Sequence, residues 1–152
     1  MLVLTMKNIY NLKKVHPDSE FMTGNFKSRF FRNEKDNELS VHITDSSLIE
    51  YTEKCIEHFN SMSDSMIDEI CNGIIEEYNE LADLGMNNDF VLPELESIQD
   101  ILNYCRFTDF SAYSEYEGLT YLVAGDGYWG QNIGFIVENG KIGYIGSNYF
   151  DC

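Results

Sequence analysis

Basic residues are scarce in this chain. Its 10 lysines and arginines stand against 26 aspartates and glutamates, for a formal net charge of −16. Such a surface repels nucleic-acid phosphates and anionic membranes and attracts basic protein surfaces. Neither nucleic acid nor membrane is therefore an expected partner. Only two prolines occur, Pro17 and Pro93, and no linker, low-complexity stretch or internal repeat divides the 152 residues. The four cysteines, Cys55, Cys71, Cys105 and Cys152, are widely spaced and form no C-x-x-C pair. That usage suits reduced thiols in a cytoplasm. No apolar run approaches the roughly 18 residues of a membrane span. The segment Met1-Leu2-Val3-Leu4-Thr5-Met6, with Lys7 behind it, lacks the basic start, long apolar run and small-residue cleavage site of a signal peptide. The expectation is one cytoplasmic domain over residues 1–152.

What is present is apolar bulk and polarised charge. Hydrophobic residues make up 43% of the chain and aromatics 14%, enough to bury a core and to argue against disorder. Residues 1–35 hold seven of the basic residues and three acids, whereas residues 36–152 hold three basic residues and 23 acids. The acidity thus belongs to the larger, C-terminal part of the molecule.

Periodicity predicts strands, then helices, then strands. Phe26, Ser28 and Phe30 alternate with Lys27, Arg29 and Phe31. After a polar turn at 33–38, Leu39, Val41 and Ile43 alternate with Ser40, His42 and Thr44, which is a hairpin pattern. Ser47 and Glu50 have capping-box spacing ahead of a helix that places Leu48, Thr52, Cys55, Ile56 and Phe59 on one face. A second helix starts near Ser63. It buries Met66, Ile67, Ile70, Cys71, Ile74, Tyr78 and Leu81 and ends at Gly85, where a C-terminal cap belongs. A third runs from about Pro93 to Tyr104 with Leu95, Ile98, Ile101 and Leu102 inward. Strand alternation returns at Leu119, Tyr121 and Val123, and again at Ile133, Phe135 and Val137. Asn139-Gly140 then marks a tight hairpin before Ile142 and Tyr144, because both residues tolerate positive φ. The fold class is α+β: an antiparallel sheet, made of the N-terminal hairpin and the C-terminal strands, packed on one face by about three helices.

Candidate chemistry is thin. Gly125-Asp126-Gly127-Tyr128-Trp129-Gly130 spells G-x-G-x-x-G, but dinucleotide binding needs a helix after the loop, and Gln131–Val137 reads as strand. Asp126 also has the wrong charge to face phosphates. Cys55 and His58, three apart on a helix, lack the further ligands that a metal site needs. None of the three histidines, His16, His42 and His58, stands beside a nucleophile-elbow motif. No catalytic residue, metal or cofactor is expected. The row Glu69, Glu76, Glu80 and Asp83 on the polar side of the second helix is the leading candidate contact. It is either the wet side of an amphipathic helix or a set of carboxylates that pairs with Lys and Arg on a partner. Tyr128 and Trp129 are candidate anchors, being large amphipathic side chains in a connecting loop.

The segment Ile98–Asp151 carries a further pattern. Ile101-Leu102-Asn103-Tyr104 leads into a strand and is followed by Gly118, Tyr121 and Leu122. Tyr128-Trp129-Gly130, Gly134, Asn139-Gly140-Lys141-Ile142 and Ile145-Gly146 come next. With Glu57-His58-Phe59-Asn60 and Met66–Cys71, this resembles a family of small bacterial domains that look like companions of secreted toxins, that is, immunity proteins. The chain departs from that pattern at Gln131-Asn132-Ile133, where an acid and a histidine are expected, so no functional residue is carried over. The resemblance and the acidity together imply an immunity protein that occludes a cognate toxin with a basic surface, such as a nuclease. The alternatives are a regulatory or structural interaction domain that forms a homo-oligomer through a sheet edge, and a small enzyme with a site assembled from distant residues.

Overall fold

The computed structural model describes residues 6–28 and 38–148. It has the α+β architecture expected from the sequence: seven strands in one sheet, in the order β1 to β7 along the chain. The strands are β1 (Tyr10–Lys14), β2 (Met22–Lys27), β3 (Glu38–Ile43), β4 (Cys105–Ala112), β5 (Tyr121–Gly127), β6 (Asn132–Glu138) and β7 (Lys141–Gly146). Between β3 and β4 lie α1 (Ile49–Asn60), α2 (Asp64–Asp83) and a 3₁₀ helix (Ile98–Tyr104). Each neighbouring pair of strands is antiparallel except β3 and β4, which run parallel. That exception follows from the helical crossover, because two parallel strands cannot be joined by a hairpin.

The helices cover one face of the sheet, and the core lies between the two layers. Phe26, Phe59, Phe110, Tyr121 and Phe135 meet there, all buried. Phe26 stands edge-on to Phe110 at 5.1 Å, and Phe110 stacks on Tyr121 at 5.0 Å, arrangements that suit aromatic quadrupoles. α2 contributes Ile70, Cys71, Ile74, Tyr78 and Leu81 to this core. The Ser63 hydroxyl accepts the Met66 N–H at its start. At its end the Gly85 N–H reaches Ala82 and the Met86 N–H reaches Leu81, a Schellman closure around left-handed Gly85. The β6–β7 turn has positive φ at both Asn139 and Gly140, as the Asn-Gly signal implies.

Three expectations are corrected. Ser47 does not open α1. The Asp45 carboxylate accepts the Ser47 N–H and hydroxyl, capping a 3₁₀ turn at Ser46–Leu48 from which α1 continues. The third helix does not begin at Pro93. Ser97 and Asp100 form a reciprocal capping box that starts it at Ile98, and Ile98 itself is exposed. Strands β1 and β4 join those read from alternation. The expected strand residues Phe30 and Phe31, the turn at 33–37, Asp151 and Cys152 lie outside the described residues.

Both edge strands are interrupted. The register of β1 shifts between Tyr10 and Lys13, and that of β6 against β7 shifts between Ile136 and Val137. Lys13, Lys14 and Lys141 lie on these edges. Irregular, lysine-bearing edges disfavour strand-to-strand association. Among the described residues no helix is long and apolar enough to cross a membrane.

Candidate functional site

The acidic row is where helical periodicity places it. Glu69, Glu76, Glu80 and Asp83 are all exposed on the side of α2 opposite its buried stripe. The helix also carries Asp64, Asp68 and Glu77, and no lysine or arginine. The deficit is wider than the helix: between Lys54 and Arg106 the chain holds 12 acids and not one Lys or Arg. Among the described residues, the ion pairs are His16–Asp18, His42–Asp109 and Glu50–Lys54, none of them on α2.

The placement of these charges opposes the stability of the helix. Glu80 and Asp83 occupy the last turn, at the negative end of the macrodipole, where a carboxylate is unfavourable. Glu76 and Glu80 are like charges at i,i+4, and Glu80 and Asp83 at i,i+3, spacings at which helical side chains are neighbours. Each term is a few tenths of a kcal/mol, up to about 1 kcal/mol for the dipole. An amphipathic helix needs a polar outer face; it does not need unpartnered acids at its C-terminus.

Tyr128 and Trp129 part company. Tyr128 is exposed, and its ring stands edge-on to Phe90 at 6.2 Å and to Tyr104 at 5.9 Å. Trp129 is fully buried, which overturns its reading as a partner-binding anchor. The cause lies in the glycine-rich segment. The indole folds back over Gly127, where a Cβ would stand 2.3 Å from the ring, and packs edge-on against Tyr78 at 5.2 Å. A Cβ at Gly125 would stand 2.0 Å from the Arg106 carbonyl oxygen. These two glycines therefore serve close packing inside and behind β5. The segment turns into β6 rather than into a helix, as its sequence context implied.

A loop joins the acidic row to Tyr128. Residues 84–92 run from the end of α2 across the 128–131 turn. The Tyr78 hydroxyl donates to the Phe90 carbonyl at 2.8 Å and accepts the Leu92 N–H at 3.0 Å. The Asn88 amide donates to the Trp129 carbonyl at 2.8 Å, and that of Gln131 to the Met86 carbonyl at 3.2 Å. Sequence reasoning assigned this loop no role. Its signal was an Asn-Asn-Asp run after a helix stop, which reads only as turn.

A second feature lies toward the opposite end of the sheet. An open groove of about 450 Å³ is walled by Val15, Phe21, Met22, Leu48 and Tyr113, with His42 and Ser111 among its polar groups. His42 Nε2 lies 2.8 Å from Asp109 Oδ1, and Thr108 Oγ1 donates to the other Asp109 oxygen at 2.6 Å. The pair is brought together by the parallel β3–β4 register, in which His42 stands opposite Ser111.

Burial raises the Cys55 and Cys105 thiols, so neither is a ready nucleophile near neutrality. Among the described residues, Cys55 and Cys71 are buried, Cys105 is partly so, and none of the three is in a disulfide. Burial pushes the Cys55 thiol up to about 11. His58 is not paired with Cys55; its Nδ1 meets the Tyr121 hydroxyl at 2.8 Å. Among the described residues no group of three His, Cys, Asp or Glu side chains is placed to hold a metal ion.

With this geometry in place, comparison with known families matches residues 11–150 to the profile described as Domain of unknown function (DUF6985). The chain belongs to the DUF6985 family. No curated protein and no solved structure matches it. In this DUF6985 domain, then, the assignable surfaces are the acidic face of α2 with its adjoining loop, and the groove beside His42.

Proposed function

We propose that the domain is a non-catalytic binder of a cationic protein, and specifically an immunity protein that covers the basic surface of a cognate toxin. One observation carries the reading: α2 holds Glu76, Glu80 and Asp83 on its exposed side and at its C-terminal end, with no ion pair to them among the described residues, against the stability of the helix itself. Charges that cost the free protein stability are relieved when Lys and Arg of a partner meet them, and such complementarity speeds association and selects partners. The immunity assignment adds the resemblance of the motifs around Tyr104–Ile145 to toxin companions. A nuclease fits it, because a cleft that holds a phosphate backbone is basic and can be filled by carboxylates.

Growth rescue tests the proposal. A candidate toxin, sought among the products of genes adjacent to this chain's own, is expressed in the cytoplasm with and without it. The wild-type chain restores growth, and the triple reversal Glu76→Lys, Glu80→Lys, Asp83→Lys does not. Absence of rescue by the wild type overturns the immunity reading.

A second reading, a small ligand-binding or enzymatic site, is favoured by the groove at His42. Its volume falls within the ~300–1,000 Å³ of small-molecule sites, and Asp109 orients the imidazole. Fragment screening by NMR checks it: hits that shift Phe21, His42 and Ser111 support it, and a screen without such hits removes it.

A further inference from the structure

The loop after α2 and the turn it crosses present apolar side chains that stand exposed among the described residues. Leu84 is 72% exposed, Met86 45%, Val91 78% and Tyr128 56%. These four are among the nine large exposed hydrophobic side chains of the described residues, and they lie on one loop and the turn it crosses. Leu84 and Met86 flank the Schellman turn, Met86 is tied to the Tyr128 turn through Gln131, and Tyr128 rests on Phe90, next to Val91. Clustered exposed apolar residues mark contact surfaces more often than isolated ones do.

The loop is also held still. Asn88 and Asp89 both adopt left-handed backbone, with φ of 48° and 61°, a conformation that costs non-glycine residues about 1 kcal/mol or more and persists only where the surroundings impose it. Here the Tyr78 hydroxyl, the Asn87 amide on the Phe90 carbonyl and the Asn88 amide on Trp129 impose it. A rigid display of apolar groups lowers the ordering cost of association.

The geometry points to Leu84, Met86, Val91 and Tyr128 as the apolar centre of a protein-docking surface whose acidic border is Glu80, Asp83 and Asp89. The occupant is a protein segment with an apolar or aromatic side chain flanked by lysines or arginines. Charge complementarity selects it. No Lys or Arg lies between Lys54 and Arg106 to meet an acidic partner, and a second copy of this chain would set Asp83 and Asp89 against acids of its own kind. An apolar centre with a polar rim is the usual distribution of binding energy at such interfaces. The inference rests on the reading of α2 as a contact for cationic protein and adds the part of the surface that holds the partner once charge has brought it in.

Two synthetic peptides test it by titration into the full-length, isotope-labelled protein. One has lysines and arginines around a central Trp-Leu; the other keeps the charges and replaces Trp-Leu with serines. Both shift the amides of Glu69–Asp83. The apolar-centred peptide also shifts residues 84–91 and Tyr128 and binds about tenfold tighter or more, the effect of burying one or two large side chains. The double variant Leu84→Ser, Val91→Ser, altered only at exposed positions, loses that advantage while binding the serine peptide unchanged. Equal affinity of the two peptides, or an unaltered advantage in the double variant, overturns the docking centre and leaves the α2 reading intact. No binding of either peptide overturns both.

Discussion

Replacing Glu80 with lysine should stabilise the free protein, and the magnitude follows from its position. Glu80 is exposed in the last turn of α2, and its backbone carbonyl accepts the Leu84 N–H that closes the helix. The side chain can therefore be exchanged without disturbing that bond. Removing a carboxylate from the negative helix end and placing a cation there changes the dipole interaction by about 0.5–2 kcal/mol. The same exchange turns the i,i+4 repulsion with Glu76 into an attraction in the favourable Glu-before-Lys order, worth a further ~0.5 kcal/mol. Against side-chain mobility and solvent screening, a net gain of about 1 kcal/mol is expected, or ~2–4 °C in Tm for a domain of this size. Thermal unfolding followed by circular dichroism at low and high sodium chloride measures it. The wild type should melt higher as salt screens its acids, and Glu80→Lys should show less of that dependence. If Glu80→Lys melts at or below the wild type at low salt, or if salt leaves the wild type unmoved, the acids of α2 are not held against the stability of the fold and the argument built on them is wrong.

Three other perturbations have definite outcomes. The buried Glu53 carboxylate accepts the Ile9 N–H at 2.9 Å and the Asn8 side-chain amide at 2.8 Å, so Glu53→Ala should cost about 2–4 kcal/mol in urea unfolding and expose the amides of residues 8 and 9 to hydrogen exchange. Trp129→Ala should cost about 3–5 kcal/mol, whereas Tyr128→Ala, whose ring is more than half exposed, should cost about 1 kcal/mol or less; equal losses would contradict the split between core and surface. Because burial raises the Cys55 thiol from 9.0 to about 11, the folded state holds this proton more tightly than the unfolded one. Its stabilising contribution is complete below about pH 9 and is lost as pH rises toward about 11, a loss that Cys55→Ala should reduce in melts across that range.

Legibility from the sequence tracked how local the governing interactions are. α2 was readable from its 3.6-residue stripe, its Ser63 cap and Gly85, all set within a few residues. The Asn139-Gly140 turn was readable for the same reason. Strand β4 escaped alternation because a register shift between Phe107 and Asp109 puts Phe107 and Phe110 both in the core, three positions apart. Strand β1 is five residues long, mostly polar and on an edge, so it carries little hydrophobic signal. Pro93 suggested a helix start, but the Ser97–Asp100 capping box fixes the start later. Trp129 was misplaced because its burial depends on Gly127 leaving room beneath it, a packing relation that residue type does not announce. The His42–Asp109 pair is separated by 67 positions and exists only because β3 and β4 run parallel. The acidic row was legible as a row; that it lies against the helix dipole, without a described ion pair and beside a rigid apolar loop, required the fold.

The central claim is that the exposed acids of α2 hold a cationic protein partner. Its most direct test is the affinity of a candidate toxin domain, sought among the products of adjacent genes, for the wild-type chain and for Glu76→Lys, Glu80→Lys, Asp83→Lys, measured by calorimetry across a salt series. The account predicts tight binding that weakens steeply with salt, and a loss of about a hundredfold or more in the triple variant at low salt. An affinity that salt and the triple reversal leave unchanged contradicts it.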